Sequence, residues 1–481
     1  MTTWLLLALC VSDEAASRPN VVLILADDLA WNDLEKPAHE TPHLDRLASD
    51  GMRFAQAYAA APICSSSRAA ILTGQSPARL GFEFVTKSDP GRQPIDGTPL
   101  LAPPYALDLP ERETTIAETL SAAGYRTAFF GKWHVERHHG RYLGWNPERG
   151  PTHHGFAVAE EDFGSHPYNP GSGGWTLADG EYPGDGLTDR AVRFVREMSE
   201  IQTHAENAPP FFLMVSHFYV HTPVRPRVDW LLADIRRRFP DLPEPRVRYA
   251  AFVRMLDHYV GQLLDAIDAA GLRESTLVAF TSDNGGDPRF ADHGPLRGHK
   301  WSLYEGGVRV PLVIRWPGVA PAGAVCDEPA IGTDLLPTFA EAADAETPTV
   351  DGVSLLPLLR DPGAPQPSRA MLWHFPYYHP ESNVPRDAEG VPTIESAGID
   401  DGRAPFLEPH AALRFGDEKI VHLFQAGRTE GYRFAKGGAI DEMTPLDWSA
   451  EQEAAARERI LNELRSRGAR LPERRERTSA N

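Results

Sequence analysis

The chain alternates short, nearly unbroken apolar runs with longer amphipathic stretches. Asn20–Ala26 (NVVLILA), Arg126–Phe130 (RTAFF), Phe211–Val215 (FFLMV) and Thr276–Thr281 (TLVAFT) are too short for helices, and their texture suits strands buried on both faces. Between them, Thr115–Ala123 opens with the capping pair Thr115 and Glu118 and stops at Gly124. Tyr249–Ala270 places Phe252, Val253, Leu256, Val260, Leu263, Leu264 and Ile267 on one helical face before Gly271. Strands alternating with helices predict an α/β fold with a mostly parallel sheet sandwiched by helices. Ligands of such sheets sit beyond the carboxyl ends of the strands. Each predicted strand ends in polar residues: Asp27-Asp28, Lys132 with His134, Ser216-His217 with His221 soon after, and Asp283-Asn284. One shared site is expected at that edge.

Beyond residue 360 the texture changes. Asp361–Ser368 (DPGAPQPS) is a Pro-rich break, Met371–Tyr378 and Ala411–Phe424 read as short strands, and Glu451–Arg467 as a charged amphipathic helix. The expected organisation is a catalytic unit over 18–360, a smaller α+β domain over 361–470 and a solvated tail over 471–481. No internal repeat is present.

The length of 481 residues, with 42% hydrophobic and 24% charged, fits a soluble protein of one large and one smaller domain. A net charge of −19 argues against a nucleic-acid partner, since phosphate backbones demand clustered Lys and Arg. The apolar run Trp4–Val11 is too short to span a bilayer and resembles a signal-peptide core, although no basic residue precedes it. With Ala15, Ala16 and Ser17 as a cleavage region, residues 1–17 predict a periplasmic or secreted protein without a transmembrane span. Removing them leaves only Cys64 and Cys326, which is no disulfide framework.

Asp27, Asp28, Asp283 and Asn284 form a hard-oxygen set suited to Ca²⁺, or less well to Mg²⁺. Singly, each reads as a turn or cap residue, but two adjacent acids need a cation or a proton between them. Lys132 and His134, two residues apart, point the same way if the chain there is extended. With His221 and Lys300 they could hold a tetrahedral oxyanion beside a metal. Cys64 heads the stretch APICSSSRAAILTG, one helical turn before Arg68 and at a helix start that favours anions. By composition alone, such a cysteine is a buried apolar filler.

C-x-S-x-R at 64–68 followed by Thr73-Gly74, together with ADDLAWNDL, TPHLDRLASDGMRFAQAYA, GKWH, HTP, TSDNGG and LRGHKWSLYEGGVRVPLVIRWPG, resembles the sulfatase signature set of the alkaline phosphatase superfamily. The resemblance covers residues 19–320, while the C-terminal part is similar only in size and position. It implies an alkaline-phosphatase-like fold and oxidation of Cys64 by a maturation enzyme to formylglycine, whose hydrate attacks sulfur. It also implies a sulfo-enzyme intermediate, resolved by loss of a proton towards His134. Asp27, Asp28, Asp283, Asn284 and the oxidised Cys64 match the Ca²⁺ ligands, Arg68 and Lys132 the groups steadying the hydrate. His221 and Lys300 match sulfate-binding donors, one of them an acid for the departing alcohol. Ser66 stands where the family most often has Pro or Ala, and His299 and Trp301 flank Lys300 where smaller residues are usual. Trp301 reads either as a stacking surface for a sugar or aryl group or as plain packing. The implied substrate is a carbohydrate sulfate or an aryl sulfate, taken up by loops at Gly140–Asp185 and Arg225–Arg248. A phosphate or phosphonate monoester hydrolase, or an inactive member that binds sulfated glycans, are the alternatives.

Overall fold

A computed structural model describes residues 18–93, 98–163, 166, 177–380 and 406–475. The expected leader at 1–17, part of the 140–185 loop and the last six residues lie outside them. Eight strands form the main sheet: β1 (Asn20–Ala26), β2 (Met52–Phe54), β3 (Arg126–Gly131), β4 (Val158–Glu160), β5 (Phe211–Ser216), β6 (Thr276–Ser282), β7 (Leu312–Arg315) and β8 (Ala324–Cys326). Their order is β8-β2-β7-β6-β1-β5-β3-β4, and only β7 runs against its neighbours.

Burial on both faces explains the unbroken apolar runs. Val22, Ile24 and Ala26 of β1 pack into one core, while Val21, Leu23 and Leu25 face the other. The first core is covered by α1 (Pro42–Asp50), α4 (Gly186–His204), α5 (Asp229–Arg238) and α6 (Glu244–Ala269). The second is covered by α2 (Cys64–Thr73), α3 (Ile116–Ala122) and α7 (Leu335–Ala342). The predicted capping box of α3 is formed, with Thr115 and Glu118 exchanging hydrogen bonds. Helix α6 starts five residues before the predicted Tyr249, and α5 lies within the stretch expected to be a loop at 225–248.

The C-terminal part is a four-stranded antiparallel sheet of β9 (Ala370–Phe375), β10 (His410–Phe415), β11 (Glu418–Leu423) and β12 (Arg428–Arg433). One face packs on α8 (Ala450–Ser466) through Ile460 and Leu464. The other shares a core with Tyr58, Ile63 and Ala70 at the head of α2 and with Leu303 and Tyr304. The expected tail departs from a wholly irregular state, since the exposed Glu473–Arg474 pair with Leu100–Leu101 as a short antiparallel strand. No described helix is long and apolar enough to cross a membrane.

Candidate active site

The strands flanking β1 end level with it, and β3 ends level with β5: Leu25 is in register with Ser216, Ala26 with Ser282, and Gly131 with Ser216. The polar residues that follow therefore meet at one edge. Asp28 turns there in a left-handed conformation (φ 62°), and its amide donates to Asp283 Oδ1 at 3.1 Å. Gly131 has φ +111°, and a Cβ there would lie 2.0 Å from the Ser216 carbonyl oxygen, so only glycine lets β3 turn Lys132 inward. His134 has φ 59°, so Lys132 and His134 share the site because the chain turns, not because it is extended.

Helix α2 is buried along its whole length and starts at Cys64. The Cys64 sulfur lies 3.4 Å from Asp27 Oδ1 and 3.8 Å from Asp28 Oδ1. Burial and the Asp27 charge push the thiol well above its ordinary range. One turn on, Arg68 donates through Nε to Asp283 Oδ2 at 2.8 Å and through Nη1 to the Lys132 carbonyl at 2.7 Å. Nη1 also reaches Ser216 Oγ at 2.5 Å, while Ser216 itself donates to the Lys132 carbonyl at 2.8 Å. Ser216 closes β5 and is one of the polar strand ends expected at this edge, although the sequence assigns it no role.

Two ammonium groups neutralise the aspartates. Lys132 Nζ is 2.5 Å from Asp27 Oδ2, and Lys300 Nζ is 2.7 Å from Asp28 Oδ2. Burial alone would raise the Asp27 carboxyl, but the charges of Lys132, Arg68 and Lys300 hold it well below the usual range. Asp28 goes the other way, to about 7, because burial and the neighbouring Asp27 and Asp283 charges outweigh Lys300. Asp283 is also raised, by burial and Asp27.

Asn284 donates to Asp28 Oδ1 at 2.7 Å, leaving its own Oδ1 buried without a hydrogen-bond partner. An orphaned amide oxygen beside three crowded carboxylates is the donor set a hard divalent cation takes. Ligand atoms of Asp27, Asp28, Cys64 and His221 lie within 4.8 Å of one another. His221, expected to be a sulfate-binding donor, thus stands within reach of the same carboxylates. Its Nδ1 lies 2.7 Å from the Thr222 carbonyl and so carries the proton, leaving Nε2 as the lone pair 3.7 Å from Asp28 Oδ2. Burial and the Lys300 charge keep His221 neutral; burial and Lys132 do the same for His134.

These groups open into a cleft of about 460 Å³ that Cys64, His134, His221 and Lys300 line at its base. A profile of the sulfatase family matches residues 19–345. The chain belongs to the sulfatase family. The sulfatase is therefore a sulfuric ester hydrolase, and a second profile, the C-terminal region of N-sulphoglucosamine sulphohydrolase, matches residues 297–395. The family likeness thus extends past residue 320, beyond the size and position read from the sequence.

The sulfatase is 35% identical to arylsulfatase A of Homo sapiens over 416 residues, covering 78% of this chain and 74% of that one. It is 33% identical to N-acetylgalactosamine-6-sulfatase of Mus musculus over 375 residues, covering 72% and 67%. The solved structure of Ps i-CgsB in complex with k-i-k-neocarrahexaose shares the fold at a TM-score of 0.69 and 24% identity, covering 93% and 92%.

The cleft walls differ from the expected substrate loops. Residues 85–88, 287–289 and His379 form much of them, neither flagged in the sequence, whereas 225–248 contributes no lining residue. Tyr142 and His138 do line the cleft, and His138 packs on Tyr142 at 5.0 Å. Trp301 stacks on His379 (4.2 Å, 8° between planes), so one ring face is packed, while the residue still borders the cleft.

Proposed function

We propose that this sulfatase hydrolyses a carbohydrate sulfate, using formylglycine at position 64 beside a Ca²⁺ ion. The observation that carries the reading is the setting of Cys64. A reactive thiolate needs an electropositive pocket, yet this thiol faces two carboxylates and is pushed well above its ordinary pKa. The position is thus unsuited to sulfur nucleophiles, while an oxygen nucleophile at residue 64 sits among the right partners. Formylglycine there would supply a geminal diol as that nucleophile. Asp27, Asp28, Asp283 and the Asn284 Oδ1 would hold the Ca²⁺, which when bound supplies positive charge at the ester oxygens.

The chain's own residues account for the remaining tasks. Arg68 orients Asp283 and fixes the Lys132 backbone, and Lys132 and Lys300 hold charge where a sulfate oxyanion sits. His134, neutral and with its buried Nδ1 unpartnered, can take a proton from residue 64. His221 presents Nε2 towards the same edge, and an anion bound beside it favours its protonated, donating form. The carbohydrate preference draws support from the aromatic cleft and from relatives whose names state sugar sulfates.

Turnover of 4-nitrophenyl sulfate, 4-nitrophenyl phosphate and a panel of sulfated monosaccharides tests the reading. Sulfate release is expected from sugar and aryl esters, with the sugar esters preferred. A stronger preference for the phosphate would overturn it in favour of a phosphate monoester hydrolase.

A further inference from the structure

The cleft is larger than a single sulfate group requires and falls in the size range of sites for small organic ligands, about 300–1,000 Å³. Its lining carries the cations Lys87, Arg289 and Lys300. Lys300 is matched by Asp28 at 2.7 Å, and Arg289 grips Asp287 with two bonds of 2.9 and 2.6 Å. Lys87 has no carboxylate partner among the described residues. Its ammonium lies over the rings of Phe84 and Tyr105, 5.2 and 5.8 Å from their centroids. Burial lowers its pKa, and no acid among the described residues opposes that effect.

A half-buried cation without an acid is an uncommon arrangement, because desolvation disfavours its charge. Here the ring faces offset part of that cost and aim the ammonium at the cleft. Tyr142, 51% exposed, and the edge of Trp301 supply aromatic surface on the same cleft. The chain as a whole carries a charge of −19, which repels polyanions, so a local unmatched cation decides whether a second negative group is tolerated.

We propose that Lys87 binds a second anionic group of the substrate, a sulfate or carboxylate carried beside the ester being cleaved. The preferred substrates are then polyanionic glycans over singly sulfated sugars. This inference rests on the carbohydrate reading given above. Lys87 is a specificity-determining residue, outside the groups assigned to the reaction.

The test compares wild-type enzyme, Lys87→Met and Lys87→Arg, each matured to the same aldehyde content. The substrates are a mono-sulfated hexosamine, the same sugar with a second sulfate, and a sulfated disaccharide that includes a uronic acid. Lys87→Met is expected to lose about tenfold of the wild-type selectivity (kcat/KM) for doubly over singly charged sugar, through KM, while Lys87→Arg keeps it. Whichever of the two doubly charged substrates shows the larger loss identifies the second group as sulfate or carboxylate. Added salt should erode the selectivity of wild type more than that of Lys87→Met. Equal losses on singly and doubly charged sugars, or a loss confined to kcat, would overturn the proposal and leave Lys87 a packing residue. If wild type releases sulfate from 4-nitrophenyl sulfate but from none of the sugars, the carbohydrate reading fails, separately from the role of Lys87.

Discussion

Arg68 ties three strand ends together: its guanidinium reaches Asp283 after β6, the Lys132 carbonyl after β3 and Ser216 at the end of β5. Arg68→Met would leave Asp283 and Asp27 buried without that charge, and removing one partner of such a network costs about 3–5 kcal/mol. Urea unfolding of the variant should show a loss of that size. Arg68→Lys restores charge but not the planar fork, so most of the loss should remain. Lys300→Met removes the ammonium from Asp28, and kcat is expected to fall by about 10²–10³, as when an oxyanion donor is lost. Steady-state kinetics at saturating substrate measures it. Chemical type made these positions legible, since acids, lysines and an arginine at strand ends rarely gather without chemistry. Ser216 was legible only as a polar strand end without a role, and Lys87 not at all. A serine at a strand end carries no signal of its own, and an unmatched lysine is recognised only once its surroundings are known. Ser66 is buried with its Oγ unpartnered, so the hydroxyl that stands where Pro or Ala is expected adds no hydrogen bond to the fold.

The segment from Arg297 to Arg309 brings Lys300 and Trp301 to the cleft, and the C-terminal sheet holds that segment in place. Arg297 and Tyr304 meet Glu430 of β12 at 3.2 and 2.7 Å. Lys419 of β11 binds Glu305 at 2.8 Å and Glu442 at 2.9 Å, all three fully buried. Lys419→Met is expected to lower both the thermal midpoint and turnover although Lys419 does not line the cleft. Displacing Lys300 by about 1 Å would reduce kcat up to ~100-fold, read from kinetics on samples of equal aldehyde content. His410 of β10 accepts the Leu303 amide through Nε2 (3.0 Å) and therefore carries its proton on Nδ1, against the Glu408 carbonyl. Burial pushes its pKa down to about 4, so the unfolded chain, with an ordinary histidine near 6.5, takes up the proton first. Stability from this group is whole above pH ~6.5 and is lost as pH falls towards about 4. Thermal midpoints across that range should fall with acid, and less steeply in His410→Gln. The central strands were legible because burial on both faces makes them apolar throughout. Strand β12 (RTEGYR) was not, since its charged residues find partners in distant segments that no local pattern reveals. Glu305 follows Lys300 closely, yet its partner Lys419 lies 114 residues further on.

The C-terminal sheet shares a core with the head of α2 and the segment before it, where Trp373 donates to the Ala59 carbonyl at 2.7 Å and packs with Tyr58. A fragment ending at residue 360 would expose that core, so it is expected to be insoluble when expressed alone, which fractionation of the lysate would check. The same burial bears on maturation. Helix α2 is buried along its whole length in the finished fold, with Cys64 reached only through the base of the cleft and Ser66 shut off from solvent. An enzyme acting on this segment must therefore reach it before the two sheets close over α2. The α/β class and the meeting of strand ends could be read in advance because they follow from alternation and topology. The cleft walls could not, because irregular segments such as 85–88 obey no periodicity. The central claim is that residue 64 works as an aldehyde and not as a thiol. Mass spectrometry of the tryptic peptide 54–68, paired with sulfate release from the same preparations, tests it most directly. Activity should rise in proportion to the fraction of aldehyde and vanish in Cys64→Ala; full sulfate release from a sample holding only the unmodified thiol would refute it.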